Sequence, residues 1–370
     1  MEGYPIRHKA KVPFAPILKL NMEYRKMVET MQDIDRRLGD FILTRNDYLE
    51  LVGDAYANNI HWSVKLEGND LPLGEVKKLT KLFTDSKIGE INAGPQQEVL
   101  NHLYSFFATD ILKLPWDIDH ATLMHGILMK DVGIAGIPGE IRDVDVSVYG
   151  SDGTEYFRSC PHIHIEKELE SLFEWLSGSP YDAITTAVLF FHEFESIHPF
   201  RDGNGRVGRT LFQILLQELG LKNAKLCKFE QKLLEDSETY YSLLAYTDKT
   251  VDYTPLVMYV TESLLQAYRE ALKTFEEKDV LKELDENSKA IVRHSKAVSE
   301  FSVSDVCARI PALGEQSIRV KLNELVEMGV LAKSGKTRST RFSFNDPFRG
   351  IKKTLKSFET LGCKGEMRLS

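Results

Sequence analysis

Cysteine is scarce in this chain of 370 residues, and no two cysteines form a C-x-x-C pair. This argues against a disulfide framework and suits a reducing compartment. The chain also lacks a run of the roughly 18 apolar residues that span a membrane, and its start has no apolar signal-peptide stretch. We therefore expect a cytoplasmic protein without membrane contact. The four cysteines are Cys160, Cys227, Cys307 and Cys363.

Charge is divided unevenly along the chain. The whole sequence has 47 Lys and Arg against 55 Asp and Glu, a net charge of −8. Residues 281–370 hold 17 basic and 11 acidic side chains, net +6, which leaves 30 against 44, net −14, for residues 1–280. With 42% hydrophobic and 28% charged residues, the chain has an ordinary globular composition and room for two or three domains.

The most informative segment is His198–Arg209, which reads HPFRDGNGRVGR. A residue before proline is pushed out of the α region, so the preceding apolar helix should end near Ile197 and leave His198 fixed and extended. An imidazole with a pKa near 6.5 can accept a proton from a hydroxyl nucleophile at neutral pH. Asp202 offers a hard oxygen ligand of the kind that Mg²⁺ uses beside water and phosphate.

Glycines and arginines complete this segment. Gly203 and Gly205 flank Asn204 and tolerate positive φ, so their backbone N–H groups can form a nest for phosphate oxygens. A helical apolar pattern follows, which places the nest at a helix N-terminus, where anions bind. Arg206 and Arg209 lie in the first turn of that helix, where the macrodipole disfavours cations unless a polyanion is bound. The segment therefore indicates nucleotide chemistry.

The segment resembles the Fic pattern H-P-F-x-(D/E)-G-N-G-R-x-x-R at every specified position. The resemblance implies a mainly α-helical Fic core that transfers AMP from ATP to a Ser, Thr or Tyr hydroxyl of a target protein, with release of pyrophosphate and self-AMPylation. It implies that His198 is the general base and that Asp202 holds Mg²⁺. It also implies that the phosphates of ATP are bound by Gly203, Asn204, Gly205, Arg206 and Arg209.

A second segment fits the same family. The residues from Ser63 to Asn69 read SVKLEGN and resemble the inhibitory motif (S/T)-x-x-x-E-(G/N) of Fic proteins whose inhibitory helix is N-terminal. Considered alone, Gly68 is a helix C′ residue, and Glu67 lies in the last turn, where a carboxylate opposes the dipole and needs a cation. The resemblance names Arg209 as that cation and makes Ser63, Glu67, Gly68 and Asn69 the inhibitory residues. A solvated Glu before a helix-ending glycine is the alternative.

A β-hairpin is predicted within residues 142–158. Valines alternate with polar residues over 144–149, a Gly-Ser-Asp-Gly turn follows, and residues 154–157 are β-prone. The resemblance implies that this hairpin is the Fic flap, whose edge would pair with an extended target segment and present its hydroxyl to His198. A purely structural hairpin is the alternative.

Two further groups are candidate sites. Tyr240 and Tyr241 lie on a helix after the core, where the resemblance suggests a contact with the adenine of ATP; half-buried packing is the alternative. Cys160, His162 and His164 could ligate a metal on a strand, but a turn leading into a helix is favoured.

The basic C-terminal part has its own pattern. Residues 281–346 are predicted to form a winged helix-turn-helix, with the helix at 315–328 in the recognition position and a β wing after it. Arg319 and Lys321 are the only cations of that helix, set against three glutamates. DNA binding and a role in protein contacts or dimerisation therefore both stay open.

We predict a mainly α-helical chain of four parts. These are an N-terminal helical lobe at 1–97, with helical patterns at 18–41 and 48–66, a Fic core at 98–276, the winged helix-turn-helix at 281–346 and a basic tail at 347–370. The leading hypothesis is an autoinhibited protein adenylyltransferase that uses ATP and Mg²⁺. The alternatives are a de-AMPylating enzyme in which Glu67 positions a water, and a DNA-binding regulator with a sensory Fic core. A homodimer is left open.

Overall fold

The computed structural model describes residues 6–7, 16–85, 94–106, 112–149, 153, 155–336 and 339–345. This part is mainly α-helical, as predicted. The helices are α1 Met22–Asp40, α2 Arg45–Lys65, α3 Leu73–Thr84, α4 Pro95–Ser105, α5 Ile118–Leu128, α6 Ile165–Ser177, α7 Ala183–Ile197, α8 Asn204–Glu218, α9 Phe229–Leu234, α10 Ser237–Thr250, α11 Thr254–Lys278, α12 Glu286–Ala297, α13 Val303–Arg309 and α14 Glu315–Glu327. The strands are β1 Ile6–Arg7, β2 Ser147–Tyr149, β3 Glu155–Arg158, β4 Leu331–Ser334 and β5 Arg341–Phe344.

The chain divides into two compact units. The larger unit consists of residues 1–36 and 54–271, and the smaller unit of residues 37–53 and 272–370. The boundaries predicted at residues 97 and 276 do not coincide with this division. Its borders, after residues 36, 53 and 271, lie within the long helices α1, α2 and α11. The predicted tail at 347–370 lies outside the described residues.

Two buried helices, α7 and α8, pack against each other in the larger unit. Leu189, Phe190 and Phe194 of α7 are fully enclosed, as expected for a helix surrounded by protein. Asp182 caps the start of α7 by accepting hydrogen bonds from two backbone N–H groups, and the helix ends at Ile197 as predicted. The loop between α7 and α8 is therefore anchored at both ends by buried helices.

The end of α2 carries the predicted inhibitory segment. The helix ends at Lys65, so Glu67 lies in the turn just after the helix rather than in its last helical turn. Gly68 has a φ of 88°, and the N–H of Asn69 donates to the carbonyl of Val64 at 3.1 Å. This backbone turn matches the role predicted for Gly68 at the position after a helix.

The predicted hairpin is part of a three-stranded sheet with the order β1-β3-β2. The strands β2 and β3 are antiparallel, with Val148 opposite Phe157, and β1 is parallel to β3, with Ile6 opposite Phe157. The hairpin is therefore not an isolated ribbon, because an N-terminal segment without a recognisable strand pattern occupies the second edge of β3. Residues 150–152 and 154 of the turn lie outside the described residues.

In the smaller unit, α12, α13 and α14 precede the antiparallel pair β4–β5. Ile291, Ile318, Leu322, Leu325 and Phe342 belong to its apolar core. The order of elements agrees with the prediction for 281–346, and the assignment as a winged helix stays a prediction. Residues 337–338 of the wing are not among those described. Across the described ranges, no helix is both long enough and apolar enough to cross a membrane.

Candidate active site

His198 is held at the C-terminal cap of α7. Its φ of 53° and ψ of 61° are left-handed, so the extended conformation predicted for it was wrong: its N–H donates to the carbonyl of Phe194 at 3.0 Å and closes the helix. Nδ1 lies 3.2 Å from the carbonyl oxygen of Glu195. Because a carbonyl only accepts, we assign the ring proton to Nδ1, which leaves Nε2 as the basic nitrogen. Burial, reinforced by the charge of Arg142, lowers the pKa of His198 to about 4, so the ring is neutral at pH 7.

Arg142 joins the end of α7 to the base of the hairpin. Its Nε donates to the carbonyl of His198 at 2.7 Å, Nη1 donates to the carbonyl of Val144 at 2.6 Å, and Nη2 donates to Oγ of Ser159 at 2.9 Å. The side chain is buried. No sequence pattern indicates this role, because the acceptors are mainly backbone carbonyls that become neighbours only in the fold.

The glycine-rich loop forms the start of α8. Gly203 has a φ of 82° and precedes the first residue of the helix. The amide of Asn204 closes the loop, since Oδ1 accepts from the N–H of Phe200 and Nδ2 donates to its carbonyl, both at 2.8 Å. The Asn204 side chain is thus occupied within the loop, and the groups that remain for an anion are the backbone N–H groups of the first turn, which have no partner within the helix.

Asp202 lies beside this cradle. Its Oδ1 accepts hydrogen bonds from the N–H of Gly203 at 2.5 Å and from Nη2 of Arg206 at 2.6 Å, and its side chain is 38% exposed. His125 supports the loop from behind: Nδ1 accepts from the N–H of Gly139 at 2.8 Å, and Nε2 lies 3.0 Å from the carbonyl oxygen of Asp202. Burial lowers the pKa of His125 to about 4. His125 is a second supporting residue that the sequence did not reveal.

Arg209 is enclosed by the inhibitory segment. Its Nε donates to Oγ of Ser63 at 2.9 Å, and Nη2 donates to the Ser63 carbonyl at 3.0 Å and to Oε1 of Glu67 at 2.8 Å. Arg209 is only 6% exposed. Burial works against ionisation of Glu67, but Arg209 outweighs it, so the pKa of Glu67 is lowered and the two groups form an ionised pair. A Cβ on Gly205 would stand 2.6 Å from Oε1 of Glu67, so this glycine leaves room for the carboxylate.

Arg206 has a partner that the sequence did not indicate. Its Nη1 donates to Oε1 of Glu98 on α4 at 2.6 Å. The other oxygen of Glu98, Oε2, accepts a hydrogen bond of 2.6 Å from the side chain of Asn69. The structure therefore brings together His198, the loop at 202–205, both arginines and the inhibitory segment, and adds α4 to the site.

The tyrosine pair divides between the interior and the surface. Tyr240 is 2% exposed and lines a small cavity together with Phe212, Phe229 and Arg209, whereas Tyr241 is 51% exposed. Because Tyr241 is the exposed member of the pair, the adenine contact predicted for the pair fits this residue better. Both assignments stay predictions.

The other candidates have partners of their own. His162 begins a short 3₁₀ turn that leads into α6, and its Nδ1 lies 2.8 Å from Oδ1 of Asp145. On α14, Arg319 donates to Glu315 at 2.6 Å, and Lys321 donates to Asp285 at 2.7 Å. The cations of the predicted recognition helix are thus paired within their own unit, and DNA binding by 281–346 stays a prediction.

Known proteins resemble this chain in sequence. Residues 115–216 match the model of the Fic/DOC family, a range that includes the whole His198–Arg209 segment. The chain is 24% identical over 264 residues to the protein adenylyltransferase fic-1 of Caenorhabditis elegans, which covers 68% of this chain and 48% of that protein. It is 26% identical over 273 residues to the protein adenylyltransferase Fic of Drosophila melanogaster, covering 66% and 50%. The chain thus spans about half the length of these relatives.

A probable protein adenylyltransferase of Aquifex aeolicus is 34% identical over 88 residues, which are 24% of this chain and 26% of that protein. Among solved structures, a Fic family protein from Desulfovibrio desulfuricans superposes with a TM-score of 0.61 at 22% identity, covering 90% of this chain and 98% of that one. Fic-1 of Caenorhabditis elegans gives a TM-score of 0.52 at 19% identity, covering 69% and 73%. At these identities the structures bear on the fold alone. Residues 115–216 thus match the Fic/DOC family, and the longer similarities of the chain are to proteins that carry the Fic name.

Proposed function

We propose that this protein is an autoinhibited adenylyltransferase that transfers AMP from ATP to a Ser, Thr or Tyr hydroxyl of a protein. The observation that carries the proposal is the placement of His198, whose Nδ1 lies 3.2 Å from the Glu195 carbonyl so that Nε2 is left as the basic nitrogen, beside the glycine-rich start of α8. Burial lowers the pKa of His198 to about 4, which favours the neutral ring. A base and a phosphate cradle in this proximity suit the attack of a hydroxyl on a phosphate. The names of the relatives support the choice of AMP as the transferred group.

In the proposed reaction, His198 removes the proton from the target hydroxyl as its oxygen attacks the α-phosphate in line. A bond forms between that oxygen and the α-phosphorus, the bond between the α-phosphorus and the bridging oxygen breaks, and pyrophosphate leaves. The backbone N–H groups at the start of α8 hold the phosphate oxygens. Arg142 keeps the backbone of His198 in place, because it binds the carbonyl of that residue.

Mg²⁺ fits the donor set of this site. Among the described residues, no group of three or more His, Cys, Asp or Glu side chains could hold a metal by itself. Asp202, a partly exposed carboxylate beside the phosphate cradle, would hold Mg²⁺ with phosphate and water as its other ligands. When bound there, the ion neutralises negative charge on the phosphates.

The pair of Glu67 and Arg209 makes the enzyme autoinhibited in this proposal. Arg209 donates three hydrogen bonds to Ser63 and Glu67, and these donors cannot serve a γ-phosphate at the same time. When Arg209 does not bind the γ-phosphate, the triphosphate is poorly aligned for attack. Correct alignment of the reacting groups accounts for a large part of the rate of such a transfer.

The target segment docks along the flap at 142–158 in this proposal. One edge of β3 already carries β1, so an incoming strand either pairs with β2 or replaces β1. Phe157 of β3 lies with its ring centroid 5.6 Å from that of His198, which places this strand next to the base. A strand in place of β1 would therefore run close to His198.

Intact mass spectrometry after incubation with ATP and Mg²⁺ tests the function. The wild type, Glu67→Gly and Glu67→Gly with His198→Ala are compared. Glu67→Gly should gain the mass of one or more AMP groups, the wild type should gain less, and the double variant none. A Glu67→Gly protein that binds ATP but adds no AMP to itself or to proteins of a cell extract would refute the proposal.

Removal of AMP by the same site is a second candidate. Glu67 is ionised, and its charge acts on His198 as well as on Arg209, so a water near both groups has a base available. Protein that has been AMPylated by the Glu67→Gly variant serves as substrate. Release of free AMP by the wild type, and none by Glu67→Gly, would favour this direction.

A further inference from the structure

Four buried or half-buried polar side chains form one continuous chain of contacts in the larger unit. Asn69 donates to Oε2 of Glu98 at 2.6 Å, Nη1 of Arg206 donates to Oε1 of Glu98 at 2.6 Å, and Nη2 of Arg206 donates to Oδ1 of Asp202 at 2.6 Å. Asn69, Glu98 and Arg206 are buried. The chain begins two residues after Glu67 and ends at the carboxylate assigned to Mg²⁺.

Arg206 is therefore shared between two carboxylates. Its third nitrogen, Nε, has no hydrogen-bond partner within the described part of the chain, so Glu98 and Asp202 hold the guanidinium between them. A buried cation that loses all its carboxylate partners is strongly destabilised. If Asp202 Oδ1 leaves Arg206 to bind another cation, Glu98 is therefore the carboxylate that keeps Arg206 paired.

The other titratable group of α4 at this place cannot substitute for Glu98. His102 lies one turn further along α4 and is buried. Burial, together with Arg206 and Arg209, lowers the pKa of His102 to about 3, so the ring is neutral. Glu98 is the only carboxylate that α4 offers to Arg206.

We propose that Glu98 is a positioning residue for metal binding: it keeps Arg206 paired when Asp202 turns from Arg206 to Mg²⁺, and Asn69 fixes it to the inhibitory turn. This inference rests on the proposed function, because it takes Asp202 as the Mg²⁺ ligand. Without the charge of Glu98, Asp202 is the one carboxylate bonded to Arg206, so the ion pair between Arg206 and Asp202 becomes tighter. Mg²⁺ must then compete more strongly with Arg206 for the carboxylate of Asp202.

The test measures ATP binding by calorimetry as a function of free Mg²⁺, so its readout is not activity. Glu67→Gly serves as parent, and Glu98→Gln is introduced into it. The free Mg²⁺ concentration that gives half of the maximal gain in ATP affinity should rise at least about fivefold in Glu98→Gln, because a carboxylate partner of a buried cation is lost. Glu98→Asp, which keeps the charge, should stay closer to the parent.

Two further variants separate positioning from general damage. Glu75→Gln removes an exposed carboxylate that pairs with Lys78 on α3, and should leave the Mg²⁺ dependence unchanged. The double variant Glu98→Gln with Arg206→Gln removes both members of the buried pair. Its ATP affinity should fall, because Arg206 is also an expected phosphate ligand, but its Mg²⁺ midpoint should return to the parent value or below it, since Asp202 then has no competing cation. This balanced variant also serves if Glu98→Gln alone does not fold.

An unchanged Mg²⁺ midpoint in Glu98→Gln, or a rise that the double variant does not reverse, would overturn the inference. Its failure can be told apart from that of the proposed function. If the Glu67→Gly parent transfers AMP while its Glu98→Gln derivative keeps the parent midpoint, only the role of Glu98 is refuted. If the parent binds ATP without transferring AMP, the proposed function is refuted.

Discussion

Oε1 of Glu67 accepts a hydrogen bond of 2.8 Å from Nη2 of Arg209, across 142 residues of sequence. The contact passes over the first turn of α8 at Gly205, where a Cβ would come within 2.6 Å of Oε1 of Glu67 and 2.8 Å of Nη1 of Arg209. The carboxylate thus occupies the place at a helix N-terminus that an anionic ligand would take. The pair couples the end of α2 to the proposed phosphate site.

We expect Glu67→Gly to raise AMP transfer by about 5- to 150-fold, the usual range for coupling between two sites, because it frees Arg209 for the γ-phosphate. The unliganded protein should be slightly less stable, while ATP should stabilise it more, since ATP replaces the lost anion. Radiolabelled AMP incorporation and thermal shifts with and without MgATP measure both effects. Glu29→Gln, an exposed change on α1, is the control. The gain should disappear in Glu67→Gly with Arg209→Ala; if the double variant keeps it, the pairing is not inhibitory.

Ser63→Ala should have a smaller effect in the same direction. It removes the hydroxyl that accepts from Nε of Arg209, but it keeps the Ser63 carbonyl and Glu67 as acceptors for Nη2. A hydrogen bond to a charged group contributes about 1.5–3 kcal/mol, and part of it is regained from water. Activity above the wild type and below Glu67→Gly is expected in the same incorporation assay. A gain equal to that of Glu67→Gly would mean that Ser63 carries the inhibition.

His198→Ala, made in the Glu67→Gly background, should lower AMP transfer by roughly 10²- to 10⁴-fold and leave ATP affinity nearly unchanged, because the imidazole moves a proton and holds no phosphate. Burial lowers the pKa of His198 to about 4. The parent should therefore keep its kcat/KM from about pH 7 down to pH 5.5, where an ordinary histidine would already be protonated. His164→Ala, an exposed change, is the control. A fall in kcat/KM centred near pH 6.5 would show that burial does not lower the pKa of His198 in the free enzyme.

The parts of the site that the sequence predicted depend on local signals. The end of α7 at Ile197 follows from the proline after His198, and the start of α8 follows from Gly203 and the apolar pattern behind it. Gly68 marks the turn after α2 in the same way. The local signal was not sufficient for the backbone of His198, which is left-handed rather than extended. A residue before proline can adopt either conformation, and the cap at the end of α7 selects the left-handed one.

The remaining parts arise from contacts between distant segments. Glu98 and Arg206 are 108 residues apart, and Arg142 and His198 are 56 residues apart. The spacing of residues in the sequence does not predict such contacts, because they depend on how α4, the hairpin and α7 pack in the fold. Strand β1 was missed for a similar reason: a two-residue strand has no periodicity, and its partner β3 lies about 150 residues further along the chain.

The last prediction concerns Glu195, which lies one turn before His198 on α7. Its carbonyl contacts Nδ1 of His198, and its Oε1 is buried without a hydrogen-bond partner among the residues described. Burial raises the pKa of Glu195 to about 8, with Glu67 adding to the rise and Arg209 opposing it. At neutral pH this carboxyl is therefore protonated in the folded protein.

The sign of its effect on stability follows from proton linkage. Between its unfolded pKa of 4.5 and its folded pKa of about 8, the folded state binds more protons at Glu195 than the unfolded state, so the free energy of unfolding falls as the pH rises. From pH 6.5 to pH 9 this loss is about 2 kcal/mol.

Glu195→Gln cannot titrate, so its stability relative to the wild type should rise by that amount over the same range. Urea unfolding of both proteins at pH 6.5, 7.5 and 9 measures the difference. The buried histidines, with pKa values of about 3 to 4, act below this window and do not obscure it. Parallel stability curves for the two proteins would mean that Glu195 is ionised in the fold.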